Sequence, residues 1–171
     1  IPMAHMLIGF YTIADTDDGF LKVMRSYQYY AAVGIANIVA DKKNHWDDGK
    51  QLGGYVWHTT GSGKTMTSFK SAYLIATSKD ADKVIFLMDR IELGTQSLEQ
   101  YNNFADTDDF VQSTENTHAL ISKLKSTNPN EVLIVSSIQK MSNIKDEEGG
   151  IKAHDIEQMQ KKRIVIIVDE A

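Results

Sequence analysis

The pattern of apolar and polar positions changes period several times along this chain. Met6 to Ile13 and Phe20 to Met24 are apolar stretches flanking Ala14-Asp15-Thr16-Asp17-Asp18-Gly19. Asp-Gly between two apolar runs predicts a hairpin turn, so residues 1–24 are expected to form an entry hairpin or linker. Tyr27, Ala31, Ile35 and Ile38 then recur at helical spacing over 25–40, and Gly49, Gly53 and Gly54 mark a loop. Beyond it short apolar runs alternate with amphipathic ones. Strands are expected at Tyr55 to His58, Val84 to Met88, Val132 to Val135 and Arg163 to Val168. Helices are expected at Thr65 to Thr77, Glu92 to Phe104, Asn116 to Lys125, Ile138 to Asn143 and Ala153 to Lys161, with a polar turn at Asp146 to Gly150. Strands such as VIFLM and IVIIV carry no polar alternation, which predicts burial on both faces. Alternating strands and helices of this kind predict an α/β domain over 25–171, a mostly parallel sheet with helices on both faces.

Composition narrows the class. A chain of 171 residues suits one domain with a full core, and 42% hydrophobic and 24% charged residues are ordinary for a globular protein. Neither end carries an apolar run long enough to cross a bilayer or a signal-peptide layout, so no membrane partner is expected. The lack of Cys rules out disulfides and thiolate metal sites and favours a cytoplasmic protein. The net charge of −5 excludes a passive nucleic-acid coat, which needs a strong basic field; any nucleic-acid contact must be a local basic strip or a set of backbone contacts. The acidic turn fails as a calcium loop: with Gly19 at the sixth position, Ala14 and Arg25 fall at the first and twelfth, and a solvated turn is the better reading. Ala14 to Asp18 recurs at Ala105 to Asp109 without matching flanks and is no repeat. The chain stops at Asp169-Glu170-Ala171 directly after an apolar strand, which reads as part of something longer.

The chemistry concentrates at His58-Thr59-Thr60-Gly61-Ser62-Gly63-Lys64-Thr65. Between a strand and a helix this is the context of a phosphate-binding loop of pattern G-x-x-x-x-G-K-[ST], with histidine in place of the first glycine. Gly61 and Gly63 can adopt angles closed to other residues, letting N–H groups from Thr60 to Thr65 surround an anion at the positive end of the next helix. Lys64 would meet the β- and γ-phosphates, and the Thr65 hydroxyl would ligate Mg²⁺. His58 at the strand end is expected to pack or hydrogen-bond rather than to do chemistry. The strand IVIIV ends in Asp169 and Glu170; in such a site Asp169 would hold Mg²⁺ and Glu170 would polarise the attacking water. Together the two motifs predict a nucleotide-hydrolysis core.

Five segments in order resemble the motor motifs of the type I restriction enzyme R subunit: Arg25-Ser26-Tyr27-Gln28, the His-headed loop, Asp89-Arg90-Ile91-Glu92-Leu93-Gly94-Thr95-Gln96, Ser136-Ser137-Ile138-Gln139-Lys140 and Asp169-Glu170-Ala171. They depart from its usual pattern at Ser26, where Pro is common, and at Ser136-Ser137 for Thr-Thr. The resemblance implies the first RecA-like lobe of a superfamily 2 motor in a prokaryotic cytoplasm, using ATP and Mg²⁺ to pump double-stranded DNA. It also implies a second RecA-like lobe and a nuclease domain in the same polypeptide, with methyltransferase and specificity subunits as partners. The chain alone is then expected to bind ATP weakly and turn it over poorly.

Individual residues keep two readings each. Gln28 can donate to and accept from an adenine edge, or lie on the surface of the first helix turn. Tyr27 can pack on the base, or, the preferred reading, on the core. Arg90 can hold a DNA phosphate or pair with Asp89 or Glu92, and Gln96 can face DNA or pack. Ser137 and Gln139 can grip phosphates at a strand end, with helix capping the alternative for Ser137. Lys161-Lys162-Arg163 reads as a solvated helix end. No E-x-K triplet occurs, so a D…E-x-K nuclease site is not in this chain, and no N-K-x-D for guanine. The competing functions are a DNA repair or RNA helicase lobe, and a nucleotide-dependent switch without motor activity.

Overall fold

The computed structural model describes residues 2–41, 53–88, 99–105, 111–145 and 153–168. Helix α1 (Pro2–Phe10) leads into an antiparallel hairpin of β1 (Thr12–Asp15) and β2 (Phe20–Val23), in register from Thr12 opposite Val23 to Asp15 opposite Phe20. The expected hairpin is present, but Met6 to Phe10 is helical rather than part of its first strand. Pro at the first helical position and the good helix formers Met, Ala and Leu account for this. The turn is not simply solvated either. Asp15 is buried, its Oδ1 accepts from the N–H groups of Asp17 and Asp18 at 3.1 and 3.3 Å, and Lys22 Nζ lies 2.5 Å from Oδ2. Gly19, at φ +69°, supplies the left-handed step that closes the turn. Thr16 ties the hairpin to the domain through its N–H and hydroxyl, both 3.2 Å from the Asn103 carbonyl in a helical stretch over 99–104.

Helix α2 (Ser26–Ala40) packs on α3 (Lys64–Ser78), which lies across the sheet. The sheet comprises β3 (Lys83–Met88), β4 (Val111–Ser113), β5 (Leu133–Ser137) and β6 (Ile164–Val168), all parallel in the order β4-β5-β3-β6. Helices α4 (Thr117–Lys125), α5 (Ile138–Ser142) and α6 (Ala153–Gln160) and the short 3-10 helices Pro129–Glu131 and Asn143–Lys145 are also described. Side chains alternate across the sheet. Val84, Phe86, Met88, Leu133 and Val135 join Phe69, Ala72 and Ile75 of α3 on one face; Ile85, Leu87 and Ile134 meet Leu120 and Leu124 of α4 on the other. Every residue of β3 and β5 is buried, as continuous apolar runs predict for central parallel strands.

Two strand expectations fail. β6 is only half-buried, with Ile166 and Val168 49% and 43% exposed, because among the described residues no strand pairs with its outer edge. Tyr55 to His58 forms no strand, and Tyr55 and Trp57 are almost fully exposed. β4 was not expected; three residues are too few to show a period. Of Lys161-Lys162-Arg163 only Lys161 is a solvated helix end; Lys162 Nζ donates to the carbonyls of Leu124, Lys125 and Ser126 at 2.8, 2.7 and 2.7 Å, capping α4. Arg163 N donates to Asp82 Oδ2 at 2.7 Å, stitching the start of β6 to that of β3.

Candidate nucleotide-binding site

In a parallel sheet every strand ends at the same edge, and ligands bind outside it. Leu87 stands opposite Ser136 on one side and Val168 on the other, so the segments after β3, β5 and β6 leave the sheet together. Arg90 and Gln96 follow β3, and Asp169 and Glu170 follow β6; all four lie outside the described residues.

The loop expected to bind phosphate, His58 to Thr65, is described throughout. Gly61 has φ +74° and Gly63 φ +83°, the left-handed steps expected of the motif. Lys64 and Thr65 open α3, whose first turn holds no acidic residue, so the helix presents its positive end without a competing carboxylate. Thr60 and Gly61 are exposed, and Ser62, Gly63, Lys64 and Thr65 are half-buried, so the loop is reachable by a ligand. A Cβ on Gly63 would stand 2.5 Å from Gln28 Nε2, so a side chain here must displace that amide besides bearing the strain of the angle.

Gln28 is not a surface glutamine; it is 4% exposed. Its Oε1 accepts from Arg25 N–H at 2.9 Å, closing the first turn of α2 as a capping-box glutamine does. Its Nε2 donates to the Gly63 carbonyl at 3.2 Å and reaches that of Ser62 at 3.4 Å. The segment expected to read the base is therefore joined directly to the loop expected to hold the phosphates. Tyr27 is 41% exposed and so is not core; its hydroxyl donates to the Ser62 carbonyl at 2.8 Å. His58 hydrogen-bonds, as expected, but within the loop: its Nδ1 is 3.0 Å from Ser62 Oγ, and its ring meets Tyr27 edge-on at 5.8 Å. His58 Nε2 is buried without a partner.

At the end of β5, Ser137 Oγ accepts from Lys140 N–H at 3.2 Å and caps α5, which is the capping alternative. Ser137 is only 5% exposed, whereas Gln139 is exposed. Sequence reasoning missed Thr114, a buried hydroxyl 3.1 Å from the Val135 carbonyl and 3.0 Å from Ser136 Oγ, which joins the ends of β4 and β5. Lys140 Nζ also bonds the Thr114 carbonyl. Neither contact has a sequence signal, because both depend on which strands become neighbours. Among the described residues no group of three or more His, Asp or Glu could hold a metal ion, and no helix is long and apolar enough to cross a membrane.

Comparison with known proteins agrees with this geometry. The SWI2/SNF2 ATPase family model matches residues 27–171. A type I restriction enzyme endonuclease subunit of Staphylococcus aureus is 40% identical over 164 residues, 96% of this chain and 16% of that subunit. A Mycoplasma pneumoniae protein, named as the C-terminal part of such a subunit, is 37% identical over 152 residues, 88% of this chain and 71% of its own length. A counterpart from Methanocaldococcus jannaschii is 28% identical over 158 residues. The chain spans about a sixth of the length of the staphylococcal subunit.

Proposed function

This chain belongs to the SWI2/SNF2 ATPase family and is a homologue of type I restriction enzyme endonuclease subunits, and from that premise we propose that it is the first RecA-like lobe of an ATP-driven motor that moves double-stranded DNA before cleavage. The observation that carries the reading is the loop itself: two left-handed glycines lead into Lys64 and Thr65 at the positive end of a helix packed on a parallel sheet. Backbone N–H groups of Gly61, Ser62 and Gly63 bind the phosphates, and Lys64 neutralises charge that grows on the γ-phosphate in the transition state. Bound Mg²⁺ would supply further neutralisation of the phosphate charge. Thr65 and Asp169 are the residues to hold it, and Glu170 orients the attacking water. Gln28 selects adenine through its remaining oxygen lone pair, since its amide protons serve the loop.

Of the proposed DNA contacts, Gln139 is exposed and Ser137 buried at the end of β5, while Arg90 and Gln96, outside the described residues, join the set through their sequence motif. Work is extracted only with a second RecA-like lobe, and cleavage with a nuclease domain of the same polypeptide. Methyltransferase and specificity subunits supply site recognition.

The test is ATP hydrolysis by the whole subunit assembled with its modification partners, on duplex DNA with and without an unmodified recognition site, and on single strands. Stimulation by the site-bearing duplex alone is expected, and Lys64→Ala should lower the rate by at least about a hundredfold, in the range seen when one transition-state charge partner is removed. Equal stimulation by any single strand means a generic helicase, and an unchanged rate for Lys64→Ala refutes the phosphate-loop assignment.

A further inference from the structure

We infer that Tyr27 and His58 are positioning residues that orient the anion cradle by gripping Ser62 at its two ends, a proposal that rests on the phosphate-loop reading above. A trans peptide is planar, and its C=O and N–H point in opposite directions. The Ser62 carbonyl is held toward α2 by the Tyr27 hydroxyl at 2.8 Å, with Gln28 Nε2 at 3.4 Å. The N–H of Gly63, in the same peptide unit, must then face away from α2. Tyr27 thus turns a cradle donor outward from the helix before any phosphate arrives.

The second grip follows from counting protons. Ser62 Oγ has one proton, and it lies 2.6 Å from the Thr59 carbonyl, which can only accept. The His58 Nδ1 at 3.0 Å from the same oxygen must therefore be the donor, which assigns the Nδ1–H tautomer. Nε2 then carries the lone pair, consistent with its burial away from any acceptor. The Tyr27 ring lies edge-on to this imidazole at 5.8 Å, so the two grips brace each other. Histidine at the head of the loop thereby does what glycine there cannot: it fixes the Ser62 side chain from within the motif.

The experiment separates phosphate from base. Binding of ADP with Mg²⁺ and of inorganic pyrophosphate with Mg²⁺ is measured by competition against a fluorescent ADP analogue, for wild type, Tyr27→Phe, Ser62→Ala, Ser62→Thr and Lys64→Ala. Tyr27→Phe keeps the ring and removes only the tether, so affinity for both probes should fall together by about fivefold, the worth of one such bond. Ser62→Ala should act alike, with recovery in Ser62→Thr. Loss for ADP but not for pyrophosphate makes Tyr27 a base contact and overturns the proposal, as does no loss for either. ¹⁵N NMR of the His58 imidazole should show protonation at Nδ1; protonation at Nε2 in the neutral ring overturns the second grip. If Lys64→Ala leaves pyrophosphate binding intact, or wild type binds neither probe, the phosphate-loop reading itself has failed.

Discussion

Replacing Gly63 by Ala perturbs two things at once, and the structure allows them to be separated. The residue sits at φ +83°, where a side chain costs about 1–2 kcal/mol for an L-residue. The new Cβ would also stand 2.5 Å from Gln28 Nε2. That amide cannot step aside freely, because Oε1 accepts from Arg25 N–H at 2.9 Å and Nε2 donates to the Gly63 carbonyl at 3.2 Å. Displacing it gives up bonds worth about 1 kcal/mol each, the longer contact to Ser62 counting for little. Gly63→Ala should therefore destabilise by roughly 2–4 kcal/mol, strain and displacement together. In a Gln28→Ala background only the backbone strain remains, so the same substitution should cost about 1–2 kcal/mol. Urea unfolding of the four proteins, followed by far-UV circular dichroism, closes the cycle. A coupling of about 1–2 kcal/mol is expected, and additivity within about 0.5 kcal/mol would refute the contact.

Three further predictions concern the scaffold. Lys83 is 2% exposed, and burial, with Lys162 nearby, lowers its pKa to about 8, below the ordinary 10.5. Between those values the unfolded chain binds the extra proton, so stability should rise with pH from about 8 to 10.5. Lys83→Met should flatten that rise in pH-dependent urea titrations and stabilise at pH 7 by about 1–2 kcal/mol, the relieved burial less one hydrogen bond to Glu131; an unaltered slope would reject it. Lys162→Met should cost about 2 kcal/mol through the uncapped carbonyls of α4, whereas Lys161→Ala, an exposed pair with Glu157, should stay within about 0.5 kcal/mol. Equal effects of the two would restore the solvated-end reading. Burial alone would raise the Asp15 pKa, but the Lys22 ammonium and the N–H groups of Asp18 and Asp17 win and hold it below the usual carboxylate value. Its contribution is present above the unfolded pKa and lost as pH falls through the depressed one, so Asp15→Asn should flatten the acid limb of the stability profile; a limb of unchanged steepness in Asp15→Asn would contradict this.

Much of the fold was legible because its signals are local. VIFLM and the apolar start of LIVSS are buried on both sides, as apolar runs in strands flanked by neighbours are. The loop proposed to hold phosphate has a local signal too: the glycines read as left-handed are left-handed, and Lys64 and Thr65 open a helix, all within consecutive residues. Misreadings arose where a segment's fate depends on a partner. Tyr55 to His58 has strand-forming residues but no strand beside it among the described residues, and β6 is half-exposed for the same reason.

Sequence alone thus determined the α/β alternation, the boundaries of the central helices and strands to within a residue or two, and the left-handed glycines that lead into α3. Tertiary structure decided the order β4-β5-β3-β6, the capping of α4 by Lys162 from 36 or more positions away, and the commitment of Tyr27 and Gln28 to the loop rather than to core or surface. The division has a physical cause. Periodicity and turn chemistry act over a few bonds, whereas a buried donor takes whichever acceptor the folded chain brings within about 3 Å.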